Sequence, residues 1–162
     1  ALVSWGETDE VFFVRRNRQN RSAQVMTSIK QEEAWSQPVR VEKLSFADDV
    51  VPFSISSGGR QMLLKSEGKL YTSTRVDIGR PWTAPEVFPM KPPFAGSAWI
   101  SPDDSLMLVE YYSERRHPRE VPKIDIATSD LGEDGAYHPS MSVGTKINRV
   151  RSYEQNPVMR DL

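Results

Sequence analysis

Clustered arginines are the feature of this 162-residue chain that points most directly to chemistry. One group is Arg15, Arg16, Arg18 and Arg21, and a second is Arg115, Arg116, His117 and Arg119, set against Glu114 and Glu120. A third basic group is Lys146, Arg149 and Arg151. A guanidinium offers a planar fork of donors that matches a carboxylate or phosphate at two points. Groups of this kind suit carboxylates, phosphates or an acidic protein surface. Tyr111 and Tyr112 come just before the second group, where one of them could line a ligand pocket. Nucleic acid fits less well, because the arginine segments lack interleaved aromatics for base stacking. No recognised nucleic-acid-binding module is present either.

The residue patterns of an enzyme are absent. Gly96-Ser97-Ala98-Trp99 does not make a nucleophile elbow, and no phosphate-binding glycine loop precedes a helix. Glycosidic chemistry needs a matched pair of carboxylates, and none can be singled out. With no cysteine, there are no disulfides, thiolate nucleophiles or cysteine-ligated zinc. His117 and His138 follow no metal-ligand spacing. No catalytic residue, metal or cofactor is therefore expected. Asn20-Arg21-Ser22 is a formal glycosylation sequon, meaningful in a secreted eukaryotic protein.

Whatever these residues do, a globular fold has to position them. Hydrophobic residues make up 38% and aromatics 9%, enough for a real core. The net charge of -1 gives no whole-chain field toward nucleic acid or membrane. No apolar run approaches the roughly 20 residues of a membrane helix. The opening Ala1-Leu2-Val3-Ser4-Trp5 lacks the basic-then-apolar pattern of a signal peptide. Twelve prolines and nine glycines leave little room for long helices. Ser22 to Trp35 alone has helical spacing, through Ala23, Met26 and Ile29.

An internal repeat overrides that helix. Gln24-Val25-Met26-Thr27-Ser28 leads to Trp35-Ser36-Gln37-Pro38, and Lys69-Leu70-Tyr71-Thr72-Ser73 leads to Trp82-Thr83-Ala84-Pro85. Asp125-Ile126-Ala127-Thr128-Ser129 leads in the same way to Tyr137. Upstream, Ile100-Ser101-Pro102-Asp103-Asp104 matches Ile55-Ser56-Ser57-Gly58-Gly59 at an offset of 45, with a weaker counterpart at Ser4-Trp5-Gly6. Each unit reads as four short strands, at about 53–56, 61–65, 69–75 and 83–88 in the second. Glu67-Gly68 is expected to form a tight hairpin; in Ser101-Pro102-Asp103-Asp104 an aspartate follows proline where left-handed or bridge backbone is tolerated, and Gly58-Gly59 fill the equivalent slots of the second unit. An insertion at 113–122 lengthens the third unit.

Four-stranded units at this period mark propeller blades. Ile100-Ser101-Pro102-Asp103-Asp104-Ser105-Leu106-Met107-Leu108 resembles the Ser-Pro-Asp-Gly core of the TolB-type, WD-like β-propeller repeat. Asp125-Ile126-Ala127-Thr128-Ser129 with Gly135-Ala136-Tyr137 is similar to a second segment of that repeat. The resemblance implies an all-β chain of about three blades, part of a larger ring. The blades would run at about 1–44, 45–90 and 91–145, with 146–162 opening a further one. It also implies a periplasmic or extracellular setting. Three blades would leave two blade faces open, so the chain is expected to be a fragment or to have a second chain completing the propeller, with a protein partner.

In such a blade the loops after the second strand share a face with the blade-to-blade connections. That places the three basic groups on one face. Glu7, Asp9, Glu10, Glu32, Glu33, Asp103, Asp104, Asp130, Glu133 and Asp134 fall on the other, opposed by Lys30, Arg60, Arg75 and Arg80. Trp35, Trp82 and Tyr137 are expected to pack between blades, and Trp5, Phe53 and Trp99 to be core. The resulting expectation is a non-catalytic scaffold that binds a protein or anionic ligand through its basic loop face. The alternatives are the propeller domain of a larger serine-peptidase-type hydrolase, or a propeller glycosidase or lectin.

Overall fold

In a computed structural model, residues 3–5, 9–19, 22–90, 94–101, 103–112 and 124–130 are described. They are all-β and antiparallel, with no helix among them. Two compact units divide the chain, Ala1–Phe88 and Pro89–Leu162.

The first unit holds two sheets. Strands β1 (Val3–Trp5), β2 (Glu10–Arg16), β3 (Ala23–Gln31) and β4 (Ala34–Trp35) lie in that order, and β5 (Val39–Arg40) also pairs with β3. The stretch that reads as a helix by spacing is therefore strand β3. Its neighbour β2 pairs with it over seven consecutive residues, from Glu10↔Ile29 to Arg16↔Ala23. The second sheet orders β6 (Val51–Ile55), β7 (Gln61–Ser66), β8 (Lys69–Thr74) and β9 (Glu86–Val87). Strand alternation sends Phe12, Val14, Ala23 and Val25 of the first sheet to one face. They share a core with Ile55, Met62, Leu64 and Trp82 of the second.

The two sheets repeat each other in hydrogen-bond detail. The Ser28 hydroxyl donates to the Ser36 carbonyl at 2.7 Å, and the Ile29 amide donates to the Ser36 hydroxyl at 3.0 Å. In the second sheet the Ser73 hydroxyl donates to the Thr83 carbonyl at 2.9 Å, and the Thr74 amide to the Thr83 hydroxyl at 3.0 Å. These clamps fasten the start of the outermost segment, where the regular ladder is short. The second sheet's fourth strand covers only Glu86–Val87, where the sequence suggested 83–88.

The second unit's described strands are β10 (Phe94–Ile100), β11 (Leu106–Tyr112) and β12 (Ile124–Asp130), paired in order. The turn before β11 copies the one before β7. Ser101 accepts the Asp104 amide at its carbonyl (2.9 Å) and the Leu106 amide at its hydroxyl (3.0 Å). Ser56 does the same for the Gly59 amide (2.8 Å) and the Gln61 amide (3.0 Å). Gly59 and Asp104 take φ of 65° and 59° at matched places, a left-handed conformation open to glycine and tolerated by aspartate. Glu67-Gly68 forms the expected two-residue hairpin turn, with φ of 49° and 71°.

The aromatics expected to be interior differ in burial within the chain. Trp82 is buried, but Trp35 is 44% exposed. Trp35 pairs with Lys30, which puts it on the face of its sheet turned away from the second sheet. Phe53 is half-buried and falls at a bulge where the β6–β7 register shifts between Pro52 and Ser54. Trp99 is half-buried as well, alternating with the buried Ala98 and Ile100. Tyr137 and the side chain of Trp5 lie outside the described residues.

Candidate functional site

Three elements of the first unit meet at one edge. The turn after β2 is closed by the Asn17 amide on the Ser22 carbonyl (2.9 Å) and the Gln19 amide on Asn17 Oδ1 (2.8 Å). The Ala23 amide then donates to the Asp48 carbonyl at 2.7 Å, tying that turn to the connection between the sheets. Asp49 continues the chain of contacts to the β7–β8 hairpin. Its carboxylate accepts the Ser66 hydroxyl at 2.5 Å and the Glu67 amide at 2.8 Å. These bonds hold the Asp49 pKa below the usual carboxylate value, with a smaller contribution from the nearby Arg16 charge.

Arg15, Arg16 and Arg18 stand exposed at this edge. Arg15 and Arg16 are consecutive in β2, so they project from opposite faces of the sheet, and Arg18 rides on the turn. Among the described residues none of the three is ion-paired. The edge is mixed in charge rather than uniformly basic, because Asp48, Asp49 and Glu67 line a shallow notch there with Phe46 and Ala47.

In the second unit, Tyr111 is half-buried and Tyr112 is 40% exposed at the end of β11. Tyr111 pairs with Asp125 and Tyr112 with Ile124, so the rings leave opposite faces. The expected site residues Arg21, Arg115, Arg116, His117, Arg119, Lys146, Arg149 and Arg151 lie outside the described residues.

Glu10 and Arg75, placed by the sequence among surface charges, are instead interior. Arg75 Nη2 meets Glu10 Oε2 at 2.6 Å, and the two side chains are 2% and 7% exposed. Arg75 Nε also donates to the Gly59 carbonyl at 2.6 Å, and the Thr27 hydroxyl donates to Glu10 Oε1 at 3.0 Å. The guanidinium lies 4.6 Å from the centre of the Trp82 ring. Pairing across the two sheets and the added hydrogen bonds offset part of the desolvation cost of burying the two charges. No sequence signal announces the pair, whose partners are 65 residues apart.

Buried Glu110 of β11 lies close to the strand beside it: a Cβ at Gly96 would come within 2.6 Å of its Oε2, so a larger residue there would require the carboxylate to shift.

Among the described residues no group of three His, Asp or Glu side chains could hold a metal ion. No helix among them is long and apolar enough to cross a membrane. No protein-family model, curated protein or solved structure matches the chain.

Proposed function

We propose that the chain is a non-catalytic binding scaffold, built from β-propeller blades, that takes an acidic protein or other polyvalent anion on its arginine-bearing loop edge. The observation that carries this reading is the exposure of Arg15, Arg16 and Arg18 where three loops are fastened together. An exposed guanidinium on a tethered edge keeps its donors available and can pair with a carboxylate at two points. The blade part of the proposal rests on the repeat's resemblance and on turns and clamps that recur at matched positions.

The binding test uses a fluorescein-labelled polyglutamate peptide. The unaltered protein should bind it with an affinity that falls as salt is raised. Changing Arg15, Arg16 and Arg18 together to Ser should weaken binding about tenfold or more. Unfolding free energy should move by only about 0.5 kcal/mol, as for surface changes. A large loss of stability would make these arginines structural, and unchanged binding would remove the loop edge from the proposal.

The ring has its own test. Propellers close with four to eight blades; where further copies of this chain complete the ring, light scattering should find the 18.4 kDa chain in an assembly of higher mass. A well-folded, monodisperse species of 18.4 kDa would remove the ring from the proposal.

A further inference from the structure

The first unit also carries a groove that the loop-edge reading does not use. Along β3, the residues facing the second sheet run Ala23, Val25, Thr27, Ile29. Ala23 and Val25 are buried in the shared core, whereas Ile29 is 42% exposed. Val39 of β5 pairs with Thr27 beside it and is 63% exposed. The loop from β8 to β9 brings Gly79, Arg80 and Pro81 to the opposite wall, and Trp82 and the Arg75–Glu10 pair contribute to the lining. These residues enclose a groove of about 420 Å³ with largely apolar walls.

Its charges are unbalanced. Four cationic side chains, Arg40, Lys43, Arg75 and Arg80, face two carboxylates, Glu10 and Glu42. Arg75 is satisfied by Glu10 at 2.6 Å, and Arg40 by Glu42 at 3.3 Å. Lys43 and Arg80 are left, neither of them ion-paired among the described residues. Strand β5 on the groove wall is bonded only to β3 among the described residues, so it presents an outer backbone edge. An extended segment suits such an edge.

We propose that this groove docks a short extended segment of a partner protein in which apolar and acidic residues alternate. The apolar side chains cover Ile29 and Val39, and the carboxylates meet Lys43 and Arg80. The proposal goes beyond the loop-edge reading, since it uses different residues.

The probes are a labelled octapeptide alternating Leu with Glu and its counterpart carrying Lys in place of Glu, with the 162-residue chain as receptor. The Glu peptide is expected to bind in the micromolar range and the Lys peptide not to bind. The pair Ile29→Ser and Val39→Ser, and separately the pair Lys43→Glu and Arg80→Glu, should each weaken binding about tenfold. The variant lacking Arg15, Arg16 and Arg18 should stay within about twofold of the unaltered protein. Circular dichroism confirms that each variant is folded. Any of four results overturns the proposal: no binding of the Glu peptide, equal binding of both peptides, loss of binding in the loop-edge variant alone, or dissociation of the protein's own assembly on changing Ile29 and Val39. The last would assign the groove to a second copy of the chain.

Discussion

Replacing Arg75 with Met is expected to destabilise the first unit by about 3–5 kcal/mol, because it leaves the Glu10 carboxylate buried without its counter-charge. Three contacts disappear together: the ion pair, the Nε bond to the Gly59 carbonyl and the stacking on Trp82. The Thr27 hydroxyl alone cannot compensate a desolvated carboxylate. Urea unfolding of Arg75→Met, Glu10→Met and the double variant separates the terms. The double variant should be more stable than Arg75→Met, since a pair of apolar side chains replaces an orphaned charge. A single-variant loss below about 1 kcal/mol would mean that water reaches the pair.

Trp82→Ala should cost a similar amount, about 3–5 kcal/mol, as expected for truncating a buried aromatic. Trp82 is 4% exposed and meets the Phe12 ring edge-on, with centroids 5.8 Å apart and an interplanar angle of 81°. Its removal opens a cavity between the sheets and uncovers the Arg75 guanidinium. The matched change Trp35→Ala is the internal control and, in the single chain, should cost about 1 kcal/mol or less, given its exposure there. Equal losses at the two positions would contradict the assignment of Trp82 to the junction between the sheets. The effects of Arg75→Met and Trp82→Ala should not add, because both remove the same stacking contact.

The strands and turns were legible because local rules govern them. Gly59 and Asp104 carry residue types that suit left-handed backbone, and both adopt it. The β3 strand was legible only through the repeat. Its own spacing also allows a helix, and the matching segment Lys69–Thr74 decides for a strand. Trp35 and Trp82 are alike in sequence and unlike in burial, since a repeat fixes which face a side chain takes and not what lies against that face. At the candidate site, the exposure of Arg15, Arg16 and Arg18 at a strand end follows from their position. The interior fate of Arg75 could not be read, because charged residues belong on the surface until a partner removes them from it. That partner sits on another sheet. The groove was equally hidden, because residues far apart in the sequence, from both sheets and the loop between β8 and β9, line it.

The two kinds of fastening in the first unit would be inherited differently. Ser28 with Ser36, and Ser73 with Thr83, each lie inside a single repeat, so a gene duplication copies both halves of the clamp together. Arg75 and Glu10 lie in different repeats. A fresh copy of the second repeat, placed beside any neighbour lacking a carboxylate at that spot, would arrive with a lone guanidinium facing a closed junction. The clamp lets repeats multiply, while the ion pair makes these two adjacent repeats a matched couple that can be moved only together.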